Sequence, residues 1–128
     1  LISSCKARGI KEDRIFAHSG NLIYETGAAV YVYFGFNYAG LSTEKVVQIY
    51  EEVENDAREE ILRSGGSISH HHGIGKIRKR FIDQTLPPMA INLIQSVKES
   101  LDPKNIFAIN NTIYRSEEEK KADLEGHH

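Results

Sequence analysis

The chain has 128 residues, 40% of them hydrophobic and 27% charged, an ordinary balance for a globular domain that excludes global disorder. A formal charge of −2 and a pI near 6.3 exclude an electrostatic nucleic-acid binder, which carries a marked excess of Lys and Arg, so no nucleic-acid partner is expected. A single cysteine, Cys5, excludes an intrachain disulfide and is compatible with a reducing compartment, and no apolar run reaches the ~18 residues that span a bilayer.

Taken in order, Leu1 to Ile10 reads as the end of a helix closed by Gly9, with Lys11 to Arg14 as a charged link. The opening Leu1-Ile2-Ser3-Ser4 looks like the interior of a helix, so a longer protein upstream is expected. Ile15 to Tyr24 and Ala28 to Tyr38 read as two strands, joined by a Glu25-Thr26-Gly27 turn into a hairpin. The strand period of two puts Val30, Val32, Phe34 and Phe36 on one apolar face. Tyr31, Tyr33, Gly35 and Asn37 then share the other, which is either a half-exposed sheet surface or a source of phenols for a cleft.

Leu41 to Ser64 is expected as a helix, with Ser42 as N-cap, Gly65 as left-handed C-cap and Val46, Ile49, Val53, Ala57 and Ile61 as its buried stripe. Its acidic residues read as a solvated face. Pro87 and Pro88 open another helix, with Ala90, Leu93, Ile94, Val97 and Leu101 as its buried stripe and Asp102-Pro103 as its stop. Asn105 to Tyr114 is expected as a last strand or an extended tail. Residues 115–128 read as a disordered charged tail, with Leu124-Glu125-Gly126-His127-His128 as a cloning remnant, so one domain is expected over residues 1–114.

Chemistry concentrates in Gly65 to Arg80, which holds half of the six histidines and four of the ten glycines and closes on basic residues. Were the segment extended, His70 and His72 would share a side and His71 would face away. A metal site would then need ligands from elsewhere, and no Cys-x-x-Cys or His-Glu-x-x-His spacing occurs, so no metal is expected. An imidazole titrates near working pH, and Lys76, Arg78 and Arg80 could hold an anionic group such as phosphate; for a substrate phosphate beside the loop, the contacts expected are Lys76, Arg78 and Lys79. The residues alone leave this acid–base reading and a solvated surface bend evenly matched. Gly73-Ile74-Gly75 lacks the third glycine of a dinucleotide fingerprint, and nothing marks Cys5 as a nucleophile.

The run Gly65-Gly66-Ser67-Ile68-Ser69-His70-His71-His72-Gly73-Ile74-Gly75-Lys76 resembles the Gly-rich segment of the flavin-linked oxidases of the vanillyl-alcohol oxidase type. Most of that superfamily places an acidic residue before His-Gly-Ile-Gly. The triple histidine resembles instead the ether-lipid-forming branch, the alkyldihydroxyacetonephosphate synthase family. Val30 to Tyr38, Ala57 to Leu62 and Val97 to Phe107 are similar to that family's substrate-side sheet, helix and closing segment. The resemblance implies an α+β fold, an antiparallel sheet with helices packed on it, forming the C-terminal, substrate-side part of a longer enzyme whose FAD-binding domain lies upstream.

By the same resemblance, the reaction exchanges the acyl chain of acyl-dihydroxyacetone phosphate for a long-chain fatty alcohol, with FAD undergoing no net redox change. It implies Tyr31 as the catalytic tyrosine, His70, His71 and His72 as the essential histidine loop, and His72, Gly73 and Gly75 near the flavin. A peroxisomal, membrane-associated homodimer is implied for the full-length enzyme, and inactivity for this portion alone. The alternative is a non-catalytic α+β module that binds a metal or a protein partner through its histidines.

Overall fold

A computed structural model describes residues 1–107 together with 111 and 113. The charged tail from Arg115, and half of the segment expected from Asn105 to Tyr114, lie outside the described residues. The chain divides between Arg63 and Ser64 into two compact units.

The first unit runs through helix α1 (Ile2–Ala7), a 3₁₀ turn (Glu12–Arg14), strands β1 (Ile15–Tyr24) and β2 (Gly27–Phe36), and helix α2 (Thr43–Arg63). Gly9, at a φ of 84°, lets the chain leave α1 in a Schellman turn: its N–H bonds the Lys6 carbonyl at 3.0 Å, and the Ile10 N–H bonds the Cys5 carbonyl at 3.1 Å. That turn directs Ile10 and Cys5 into one cluster with Ile49 and Val53 of α2. Leu1, Ile15, Phe34 and Phe36 pack around it, and Tyr50 stacks on Phe34 with ring centroids 4.9 Å apart.

A polar network joins α1 to α2. The Arg8 guanidinium donates to Glu52 at 2.5 Å and to Asp56 at 2.8 Å, and Ser4 donates to the same Asp56 carboxylate. Two members of the acidic row of α2 therefore hold α1, where the sequence suggested only a solvated face. Burial pushes the Cys5 thiol above its ordinary pKa, which fits an inert core residue.

α2 begins where expected, with the Lys45 N–H reaching the Ser42 hydroxyl at 3.4 Å, and Gly65 follows it at a φ of 78°. The hairpin is antiparallel as expected, pairing Ile15 with Phe36 through to Tyr24 with Gly27. Its turn is Glu25-Thr26 alone, and Gly27 is already the first residue of β2. Of the expected apolar face, Phe34 and Phe36 pack on the core, whereas Val30 and Val32 stay 60% and 48% exposed. The reason is length: the α2 cluster reaches only the end of a ten-residue strand.

The second unit holds the histidine loop, a short helix α3 (Gly75–Arg78), a 3₁₀ segment (Lys79–Gln84) and helix α4 (Pro88–Leu101). Pro88 occupies the first turn of α4, where its missing N–H costs nothing. Among the described residues, those buried here are Ile68, Lys79, Phe81, Ile82, Ile91 and Asp102. The stripe expected to be buried on α4 is instead largely an open face, with Leu93, Ile94, Val97 and Leu101 exposed and their neighbour Ile91 buried. Helical spacing determines which residues share a face, not whether anything covers it.

Asp102 ends α4 as expected and does more than stop it. Its carboxylate accepts the Ile106 N–H at 2.9 Å, the Phe107 N–H at 2.8 Å and the Lys98 ammonium, and that ammonium also donates to the Phe107 carbonyl at 2.8 Å. The Lys98 bond first, then the Ile106 N–H, hold Asp102 down to a pKa of about 2. The closing segment is thereby pinned to the last turn of α4.

Candidate functional site

The histidine loop is shaped by local hydrogen bonds before any histidine is reached. The Ser67 hydroxyl accepts the Ser69 N–H at 3.4 Å and donates to the Ser69 carbonyl at 2.9 Å, folding the chain back on itself. Ile68, 8% exposed, anchors this bend. Gly73 follows the histidines at a φ of 74° and Gly75 at 57°, both in the left-handed region that a side chain disfavours. The Arg78 guanidinium reaches back to the Gly73 carbonyl at 3.4 Å and joins α3 to the loop.

The chain is bent through residues 70–72 rather than extended, so His71 does not face away from its neighbours. The His70 and His71 rings meet edge to face, with Nδ1 atoms 2.7 Å apart, and His71 and His72 do the same with ring centroids 4.3 Å apart. Two facing Nδ1 atoms need one donor and one acceptor, so the pair excludes a state in which both rings are fully protonated. Loss of surrounding water lowers the His71 pKa from its ordinary value, and the charges of His72 and His70 lower it further. The cluster favours a neutral imidazole able to take up a proton.

The expected phosphate contacts differ from one another. Lys76 is exposed, Lys79 is buried and Arg78 lies between them. Arg80 is engaged over the Phe81 ring, 5.3 Å from its centroid. Two polar atoms of this segment, the Ser69 hydroxyl and the Arg78 Nε, are buried without a hydrogen-bond partner.

Tyr31 lies in the first unit, half-buried on β2 opposite Gly20, and the register places Tyr33 opposite His18 and Gly35 opposite Phe16 on the same face. The Phe16 ring fills the space that a Cβ at Gly35 would need. Asn37, expected on that face, instead closes the strand: its N–H bonds the Arg14 carbonyl at 2.8 Å and its side chain accepts the Ala39 N–H at 2.9 Å. His18 and Asn111 were not picked out as site residues. Strand register brings His18 to the tyrosine face, and the Asn111 side-chain oxygen lies 3.5 Å from where a Cβ at Gly75 would stand. Among the described residues, no three His, Cys, Asp or Glu side chains are grouped so as to hold a metal ion.

Residues 3–110 match the family of FAD linked oxidases, C-terminal domain, and the chain belongs to that family. It is 44% identical over 108 residues to the alkyldihydroxyacetonephosphate synthase of Caenorhabditis elegans, a span of 84% of this chain and 18% of that protein. It is 31% identical over 83 residues to the Trypanosoma brucei brucei enzyme of the same name (65% of this chain, 13% of that protein). It is also 44% identical over 42 residues to the mitochondrial D-2-hydroxyglutarate dehydrogenase of Rattus norvegicus (33% of this chain, 8% of that protein). The chain thus spans less than a fifth of the length of these relatives. No solved structure matches it.

Family membership implies FAD as the cofactor. Nothing lies within 4 Å of the position a Cβ at Gly73 would take, so a ligand can approach the backbone there.

Proposed function

We propose that this chain is the C-terminal, substrate-side portion of a flavoenzyme that replaces the acyl chain of acyl-dihydroxyacetone phosphate with a long-chain fatty alcohol. The carbon–oxygen bond to the departing fatty acid breaks, an ether bond to the alcohol oxygen forms, and the alcohol proton passes to a base. FAD, when bound, supplies an electrophilic ring system that activates the substrate carbon. The observation that carries this reading is the His70–His71 Nδ1 contact at 2.7 Å, a built proton-holding pair in a loop of this family.

In this reading His71, its pKa lowered by loss of water and by its neighbours, accepts a proton, and His70 receives or returns it through the shared Nδ1 contact. Tyr31 serves as a second proton-transfer group, and His72, Gly73 and Gly75 line the flavin side. A positioned proton-transfer group contributes about 10²–10⁴-fold in rate. The anionic headgroup is met by the basic run at Lys76 and Arg78, whereas Lys79, expected beside them, is buried.

The exposed row Leu93, Ile94, Val97 and Leu101 supports an apolar face of α4 that the flavin-binding portion of the enzyme covers. A peroxisomal, membrane-associated homodimer is the setting that goes with this chemistry. The test is an exchange assay on the flavoenzyme containing this chain, using acyl-dihydroxyacetone phosphate and labelled hexadecanol. Labelled ether product with stoichiometric fatty acid supports the proposal; oxidation of a hydroxy acid with no ether product overturns it. The chain alone is expected to be colourless and inactive in that assay.

A further inference from the structure

Buried polar atoms are nearly always paired, so two unpaired ones beside a reactive loop call for an explanation. The Ser69 hydroxyl directly precedes the histidine run and the Arg78 Nε belongs to the helix that follows it, and both are buried without a partner. The two are not isolated from the loop's geometry. Ser69 is fixed by the Ser67 turn through its backbone N–H and carbonyl, which leaves its hydroxyl uncommitted. Arg78 is tethered by a single long bond to the Gly73 carbonyl at 3.4 Å, which orients the guanidinium without satisfying it.

The cations around them are spent differently. Arg80 covers the Phe81 ring, Lys79 is buried and already engaged, and Lys76 is exposed to water. Only Arg78, among these four, pairs a fixed positive charge with a desolvated and unused N–H. A guanidinium fork and a hydroxyl together match the oxygens of a tetrahedral anion.

We propose that Arg78 and Ser69 form the seat for the phosphate monoester of the substrate, with Arg78 its principal donor and Lys76 only a screened, outer charge. This inference rests on the proposed reaction for the identity of the ester; the anion chemistry stands on the two unpartnered atoms. The seat fixes the polar end of the substrate on one side of the histidines, so that the reacting carbon beyond the phosphate falls beside the imidazoles.

The test is calorimetric binding of dihydroxyacetone phosphate to the flavoenzyme containing this chain, with inorganic phosphate and dihydroxyacetone as the two comparison probes. Arg78→Gln is expected to weaken dihydroxyacetone phosphate at least about tenfold, as loss of a charge-assisted bond does, and to leave the weak binding of dihydroxyacetone unchanged. Ser69→Ala should weaken it several-fold, Lys76→Gln less than Arg78→Gln, and Lys104→Gln, a remote charge control, not at all. Inorganic phosphate should compete in the unsubstituted enzyme and lose that competition in Arg78→Gln.

Unchanged affinity in Arg78→Gln, or a loss in Lys76→Gln as large as in Arg78→Gln, overturns the seat. Should Arg78→Gln lose its flavin, Arg78→Lys decides: it keeps the charge but not the fork, and affinity equal to that of the unsubstituted enzyme rejects the proposal. The two readings fail separately. Arg78-dependent phosphate binding without ether formation sinks the reaction and keeps the seat. Ether formation with unchanged phosphate affinity in Arg78→Gln does the reverse.

Discussion

The two units spend their side chains in opposite ways. The first closes a core of Cys5, Ile10, Ile49 and Val53, each at most 5% exposed, and ties α1 to α2 through Arg8. The second buries little of its longest apolar stripe and instead leaves a bent polar loop with three touching imidazoles and two unpaired buried donors. The first unit thus closes on a packed core, and the second carries the histidine cluster.

Substitutions can break that contrast directly. Ile49→Ala should cost about 2–5 kcal/mol, the range for emptying a buried aliphatic site, and should lower the midpoint of urea unfolding clearly. Gly73→Ala should cost roughly 1–2 kcal/mol because a Cβ is forced into the left-handed region at a φ of 74°; NMR should show the change confined to the loop. Arg8→Ala should cost about 1 kcal/mol, since its partners Glu52 and Asp56 are 41% and 44% exposed and water replaces part of what is lost.

Leu93→Ser on the open face of α4 should stay within about 0.5 kcal/mol in the chain studied alone, since its side chain is already in water. A loss as large as that of Ile49→Ala would show that the α4 face is covered after all. The last effect is read from its pH dependence. Asp102 has a folded pKa of about 2 against an ordinary 3.8, so its contribution to stability is complete above 3.8 and disappears as pH falls from there through about 2. Acid unfolding curves of Asp102→Asn should lose that dependence.

Much of this arrangement was legible in the residues. The hairpin, the N-cap at Ser42, the glycine exits at Gly9 and Gly65 and the Pro88 start of α4 all follow from local chemistry, which acts within a few residues. What periodicity could not supply was coverage. It assigned Val30, Val32, Leu93 and Val97 to apolar faces correctly, but burial depends on a neighbouring layer that sequence spacing does not encode. The histidine loop failed in a different way. Alternation assumed an extended segment, whereas the Ser67 turn and the positive φ at Gly73 bend it and bring neighbouring rings together. His18 entered the tyrosine face only through strand register, a long-range fact with no local signature.

The central claim is that Tyr31 and the His70–His72 cluster are proton-transfer groups of a flavin-dependent exchange. Its most direct test measures ether formation by the flavoenzyme carrying His71→Ala or Tyr31→Phe, with flavin content determined on the same preparations. The account predicts a loss of at least about 10²-fold in turnover with flavin fully retained. Turnover within a few-fold of the unsubstituted enzyme, at equal flavin content, would contradict it.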